Sequence, residues 1–338
     1  MKASLSSLTS TLMSALMFMF IVCSYHTSAK EFVFALVPKD AKNPYYLRSK
    51  QGCMHAAKKL AVTCLYRGPI RSDVRLQDMI IRELIKQKVD AIAVAVTQSE
   101  FLAQHSFQLA QKSGIPIITF DADFNQFSTA KYSHLRLAYV GSNNFALGKA
   151  LGQKLMARHP QGGNIIIQTG RPDSDNLNQR ILGLRSALAG KDFSLMSGEI
   201  LDNDNGWHEV RAPFPSYGRF SRALKQMEKV FNTDNIDAFV AVGGWAQLND
   251  DAYRQMISPL KNKLINNEIS VVMADTVDSQ LVLLADNLSH VNIGQSPYEM
   301  GRMAIHTLHN IVTNKPFQKN TYTPLTYCTQ QNYSICTK

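Results

Sequence analysis

The chain is expected to fold as an α/β protein built from two doubly wound, mostly parallel sheets, and three observations lead there. Short continuous apolar runs such as 32–37, 89–96, 115–120 and 271–274 alternate with segments whose apolar residues recur at helical spacing. That is the pattern of buried parallel strands joined by crossover helices. Several of these runs end in a polar or acidic residue, where open α/β sheets hold their ligands. Finally, the length of 338 residues exceeds what one hydrophobic core usually holds, so two domains are expected.

A hydrophobic content of 45% with 18% charged residues excludes a disordered chain. The formal charge of +10 invites a nucleic-acid reading, but the basic residues are scattered, as at Lys58, Lys59, Lys86, Lys88, Lys149 and Lys154. A solvated basic surface is therefore expected, and no nucleic-acid partner.

Residues 1–29 read as a targeting segment. Lys2 gives a positive start, 12–22 is a short apolar run, and Thr27-Ser28-Ala29 places small residues before a cleavage point at Lys30. The run falls short of the ~20 apolar residues of a membrane span. Cys23 raises the question of a lipid anchor, but Phe20-Ile21-Val22 puts no small residue at the cleavage side, so a soluble exported protein is expected. Cys53, Cys64, Cys328 and Cys336 remain, an even set in an oxidising compartment. Three pairings are open, and proximity favours Cys53 with Cys64 and Cys328 with Cys336. Their spacing resembles no compact zinc site.

The elements follow in order. After the strand at 32–37, Pro44 opens a helix with Asn43 as its cap, and Gly52, Ala56, Ala57 and Leu60 keep helical spacing. A strand at 62–66 comes next, then a helix from Asp73 to about Gln87, a strand at 89–96 and a helix at 99–112. The strand at 115–120 ends in Asp121-Ala122-Asp123. A strand at 137–140 leads through Gly141-Ser142-Asn143-Asn144 into a helix at 145–158, where the chain is expected to cross into its second domain. There the series is a strand at 164–168, a helix at 176–188, a strand near 195–200, a helix at 219–231, a strand at 236–242, a helix after Trp245 and a strand at 271–274. The stretch 202–218, with Trp207, Pro213, Phe214, Pro215 and Tyr217, is rich in turn formers and is expected to be an irregular lid or rim loop. A last strand ends at Gln295, Pro297 opens a helix to about Val312, and 321–329 is an extended tail.

Chemistry gathers at the strand ends. Asp275 follows Val271-Val272-Met273-Ala274 and Gln295 follows His290-Val291-Asn292-Ile293-Gly294, so one unit presents a carboxylate and an amide. Tyr45 and Tyr46 fall beyond the first strand. Aromatic plates with planar polar groups suit a polyol, whose ring faces are weakly apolar and whose edge is hydroxyl-rich. No Gly-x-Gly-x-x-Gly, P-loop or Gly-x-Ser-x-Gly occurs, and His55, His105, His208 and His290 keep no metal or triad spacing. Neither an enzyme nor a cofactor is expected. A transcription regulator would need a helix-turn-helix ahead of the first strand, where the targeting segment stands.

The strand-end Asp275, the run Gln295-Ser296-Pro297-Tyr298-Glu299-Met300-Gly301 and the helix after it resemble the sugar-binding branch of the type I periplasmic binding proteins, the ribose- and galactose-type receptors. Asn43-Pro44-Tyr45-Tyr46 is similar to that family's Asn-Pro-aromatic-aromatic run, which implies a hydrogen bond from Asn43 and stacking by the rings. Asp121 resembles the family's acid after the fourth strand. Ala122 stands where ribose-type members carry Arg, and Asp123 is expected to share the acid's role. Asn176-Leu177-Asn178-Gln179-Arg180-Ile181-Leu182-Gly183 resembles the Glu-Arg-x-x-Gly helix start with Gln179 in place of Glu, which implies Arg180 as a donor with Asn178 beside it. Val242-Gly243-Gly244-Trp245 resembles a sister branch with a small-Trp pair, so Trp245 is expected to stack. Lys39 lies two residues past the first strand and is placed in the site to meet an acidic group.

The resemblance implies lobes of 30–139 with 296–320 and 140–295 with 321–338, joined by three hinge crossings that close around the ligand. It implies a monomeric periplasmic solute-binding protein that delivers a sugar to the permease of an ABC transporter, or alternatively presents its ligand to a histidine kinase or chemoreceptor. Lys39 and Arg180 favour an anionic sugar while Asp121 and Asp275 oppose one, so a neutral or mildly modified sugar is expected.

Overall fold

The structure, a computed structural model, describes residues 31–125, 130–193, 198–233 and 235–336. The targeting segment expected over 1–29, with Cys23, lies outside the described residues.

Among the described residues, fourteen strands form two sheets. In the first, β1 (Val33–Val37), β2 (Thr63–Tyr66), β3 (Ala91–Val94), β4 (Ile117–Phe120), β5 (Tyr139–Gly141) and β13 (Asn320–Tyr322) run in the order β13-β5-β4-β3-β1-β2. Every pairing there is parallel. In the second, β6 (Gly163–Thr169), β7 (Asp202–Asp204), β8 (Trp207–Glu209), β10 (Ala238–Ala241), β11 (Ser270–Ala274), β12 (Val291–Gly294) and β14 (Thr326–Thr329) run β14-β12-β11-β10-β6-β8-β7, with β9 (Phe214–Pro215) also on β6. Only the β12–β14 and β7–β8 pairings are antiparallel. The sequence reads as continuous apolar runs because helices cover both faces: every residue of β3, β4, β10 and β11 is buried.

Two helix pairs complete the lobes. On the first sheet α1 (Pro44–Leu60) packs against the late helix α10 (Pro297–Val312); on the second, α4 (Asn144–Met156) packs against α5 (Asp175–Ala189). The remaining helices with labels are α2 (Val74–Lys86), α3 over 99–112, α6 (Phe220–Thr233), α7 (Asp250–Ile257), α8 (Lys261–Ile265) and α9 (Asp278–Ala285). Both helix pairs touch backbone to backbone through reciprocal glycines. A Cβ on Gly52 would stand 1.9 Å from Tyr298 O and one on Gly301 1.9 Å from Ser49 O. A Cβ on Gly148 would stand 1.9 Å from Arg180 O and one on Gly183 2.0 Å from Phe145 O. Side chains start the helices: Asn43 accepts from Tyr45 N–H, Asp73 from Arg75 and Leu76 N–H, and Asn143 from Ala146 N–H.

Cysteines pair as proximity favours, Cys53 with Cys64 and Cys328 with Cys336. The first bond ties α1 to β2; the second folds the tail onto α9, where Cys328 and Cys336 cluster with Leu281 and Leu284.

Two local expectations change, at 202–218 and in the tail. The stretch 202–218 is not irregular but forms β7, β8 and β9. Asn205 (φ 48°) and Gly206 (φ 79°) supply the left-handed turn between β7 and β8, and Asn203 (φ 62°) marks a register irregularity within β7. Trp207 is only 2% exposed and anchors the hairpin. Glu209 accepts from Arg185 of α5 at 2.5 and 2.8 Å in a buried bidentate pair. The strand expected near 195–200 lies partly outside the described residues, which omit 194–197; the next strand described is β7, from Asp202. Instead of one extended tail, β13 and β14 belong to different sheets, so the chain changes sheet over residues 323–325. The helix expected after Trp245 is α7, preceded by a 3-10 turn over Trp245–Leu248.

Candidate functional site

The carboxyl ends of β1, β4, β6, β10, β11 and β12 meet around one cleft of about 90 Å³. Among the residues lining it are Lys39, Asn43, Tyr45, Tyr46, Asp121, Arg180, Trp245, Asp275 and Gln295. The sheet topology puts them there, since in a parallel sheet the loops after the strands all open on one edge.

Two carboxylates form its floor, one per sheet, and both end their strands in left-handed backbone: Asp121 at φ 60° and Asp275 at φ 71°. Asp tolerates this conformation better than most side chains, and it turns the carboxyl group off the strand axis. Asp121 accepts from two phenols, Tyr45 at 2.8 Å and Tyr46 at 2.6 Å. The two rings meet edge to face with centroids 5.2 Å apart and are buried in the core of the first lobe. Burial first, then the Asp121 charge, pushes both tyrosines well above the ordinary phenol range, so they stay neutral donors. Their hydroxyl groups hold the Asp121 carboxylate while both residues line the cleft.

Asp275 accepts from Gln295 Nε2 at 2.8 Å and from Gly244 N–H at 3.1 Å. Burial raises its carboxyl group above the usual range, while Arg180, Gln295 and Gly244 pull it back. Gln295 is 7% exposed, and its Oε1 has no partner among the described residues.

Arg180 lies on α5, 2% exposed. Its Nε donates to Asn144 Oδ1 at 2.9 Å and its Nη1 to Val242 O at 2.8 Å, while Nη2 has no partner among the described residues. Lys39 reaches from the first lobe to the start of α5, where Nζ donates to Ser174 Oγ and Asn176 Oδ1, each at 3.2 Å. Burial lowers its pKa to about 8, with attraction by Asp121 opposing and repulsion by Arg180 assisting. Trp245 is half-buried beside Gly170 and Gly243, where any side chain would strike its ring. Asn43 lines the cleft but spends its Oδ1 on the cap of α1.

Two expected residues fall elsewhere. Asp123 accepts from Thr119 Oγ1 at 2.7 Å and Arg136 at 2.5 Å, and lines a separate cavity of about 390 Å³. Asn178 donates to Pro172 O at 2.8 Å and does not line the cleft. In its place stands Asn176, with Ser174, Leu177, Gly170 and Arg171. Arg171 is held by Asp173 at 2.7 and 2.9 Å. Asn176 was legible in principle, since a residue four before Arg180 shares its helix face.

Two parallel-sheet lobes with a polar cleft at the strand ends define a two-lobed α/β binding protein. The sequence model of the periplasmic binding protein domain matches residues 34–316, and the chain belongs to that family. It is 24% identical over 155 residues to the xylose/arabinose-binding protein XylF of Sulfolobus acidocaldarius, covering 44% of this chain and 37% of that protein. It is 29% identical over 171 residues to a D-ribose/D-allose-binding protein of Pseudomonas aeruginosa, covering 48% and 53%. The matches thus span about half or less of these relatives. Among solved structures, a solute-binding protein of an ABC transporter from Burkholderia graminis, in complex with D-arabinose, superposes with a TM-score of 0.77 at 23% identity, covering 92% of this chain and 99% of that one.

Proposed function

We propose that this is an exported periplasmic solute-binding protein that captures a small sugar-like ligand between its lobes and delivers it to the permease of an ABC transporter, without chemical change. One observation carries the reading. Two buried polar atoms at the cleft, Arg180 Nη2 and Gln295 Oε1, have no partner among the described residues, and such groups are costly unless a ligand completes them. The lobes divide near 142–143, 295–296 and 323–325, and opening there exposes the cleft. Asp121 and Asp275 accept from ligand hydroxyls while Trp245 covers a ring face. The sugar-binding relatives support the ligand class.

Closure works through differential affinity: only a ligand that touches both walls favours the closed form. A thermal-shift screen of residues 30–338 against pentoses and hexoses, followed by calorimetry, tests this. A binding sugar raises the melting temperature. Asp275→Ala weakens that binding by about tenfold, or about 1.4 kcal/mol; an unchanged dissociation constant removes Asp275 from the site. Binding to a histidine-kinase ectodomain rather than to a permease would make the protein a sensor component.

A further inference from the structure

The charges lining the cleft are not satisfied alike. Asp121 holds two phenolic O–H groups, and Asp275 holds an amide and a backbone N–H. Each carboxylate oxygen already has a donor. The cations differ: Arg180 donates only to a neutral amide and a carbonyl and leaves Nη2 empty, and Lys39 donates only to a hydroxyl and an amide oxygen. A guanidinium that is 2% exposed, with the Asp275 carboxylate near enough to feel its charge but with hydrogen bonds to neutral groups alone among the described residues, keeps an unmet donor that an anionic group would complete.

The same corner holds the start of α5. Ser174 stands at its N-cap but makes no side-chain cap bond; its hydroxyl accepts from Lys39 instead. The positive end of a fifteen-residue helix therefore adds to Lys39 and Arg180.

We propose that the ligand is a sugar acid, a monosaccharide whose carboxylate is received by Arg180 Nη2 and Lys39 Nζ while its hydroxyl groups meet Asp121, Asp275 and Gln295. The proposal rests on the sugar-binding reading above and narrows its ligand class. Two free donor directions, one from a planar fork and one from an ammonium, match the two oxygens of a carboxylate. A phosphate, with three terminal oxygens, would leave one unmet. The lowered pKa of Lys39 fits a lysine waiting for an anion: a bound carboxylate restores the charged form. The sign follows. Lys39 faces Asp121 of the first lobe and Arg171, Asp173, Asp175 and Arg180 of the second; it must be protonated to receive the acid, so affinity for the acid falls as pH rises through about 8, and affinity for a neutral sugar does not.

Calorimetry on residues 30–338 with matched pairs decides it: D-galactose and D-galacturonate, D-glucose and D-gluconate, D-ribose and D-ribonate, with D-ribose 5-phosphate as the phosphate probe. The expected result is an acid bound at least about tenfold tighter than its neutral partner, with an advantage that shrinks above about pH 8. Lys39→Met lowers the acid-to-neutral ratio by about tenfold, and the pH profile of the unsubstituted protein tests the same point without a variant. A neutral sugar bound as tightly as its acid overturns this proposal and leaves the sugar reading standing. Preference for the phosphate overturns the carboxylate assignment. Failure of every compound to bind overturns both.

Discussion

Gly148→Ala tests how the helix pair of the second lobe positions the site. The new methyl group would stand 1.9 Å from the carbonyl oxygen of Arg180, about 1.5 Å inside ordinary van der Waals contact. The obstacle is backbone, so no side chain can swing away, and α4 must lift from α5. Overpacking of this kind costs up to about 3 kcal/mol, offset by about 1 kcal/mol from the better helix propensity of Ala. The net expectation is a loss of about 2 kcal/mol in urea denaturation followed by circular dichroism. Because Arg180 donates to Asn144 at the start of α4, the lift also displaces the guanidinium, and ligand affinity falls by about tenfold. Gly183→Ala strikes Phe145 O at 2.0 Å on the same crossing. Once one methyl group has parted the helices the second costs less, so the double variant loses less than the two single losses combined. A Gly148→Ala protein as stable as the parent, or stabilised, would refute the backbone contact and the route from this crossing to Arg180.

Glu209→Ala leaves Arg185 buried without its partner, and a loss of about 3–5 kcal/mol is expected in the same urea experiment; a loss below about 1 kcal/mol would show that water reaches the guanidinium. Replacing Cys53 and Cys64 by Ser opens a loop whose ends are 11 residues apart and is expected to cost about 3 kcal/mol through the freedom returned to the unfolded chain. His290 accepts from Val271 N–H at Nδ1 and faces Leu264 O with Nε2; burial, aided by Arg158, lowers its pKa to about 4. Its stabilising effect is therefore complete above its unfolded pKa of 6.5 and disappears as pH falls toward 4. Replacement by Asn, which keeps an acceptor near Nδ1, should flatten the stability profile over that window, and an unchanged profile would acquit His290.

The two sheets were legible because buried parallel strands leave continuous apolar runs, and both disulfides because their partners lie near in sequence. Site residues were legible where a strand end dictates direction, as at Asp121, Asp275 and Gln295. The misplacements have geometric causes. Asn178 and Asn176 are two residues apart on a helix, about 200° around it, so only one of them shares a face with Arg180. Asp123 is two residues past Asp121, after the left-handed turn has sent the chain back toward Thr119 and Arg136. Hidden most completely was the hairpin at 202–209. Turn residues announced a bend, but the burial of Trp207 and the ion pair to Arg185 depend on a helix elsewhere in the chain, which no local pattern reports.

The change of sheet between β13 and β14 makes the last stretch of the chain a strap sewn into both halves of the molecule. Deleting residues 320–336 would strip the outer strand from β5 and from β12 together and bare two rows of unpaired backbone, an invitation to self-association. Reporter fusions meant to follow the hinge should extend from beyond the Cys328–Cys336 knot, never replace it.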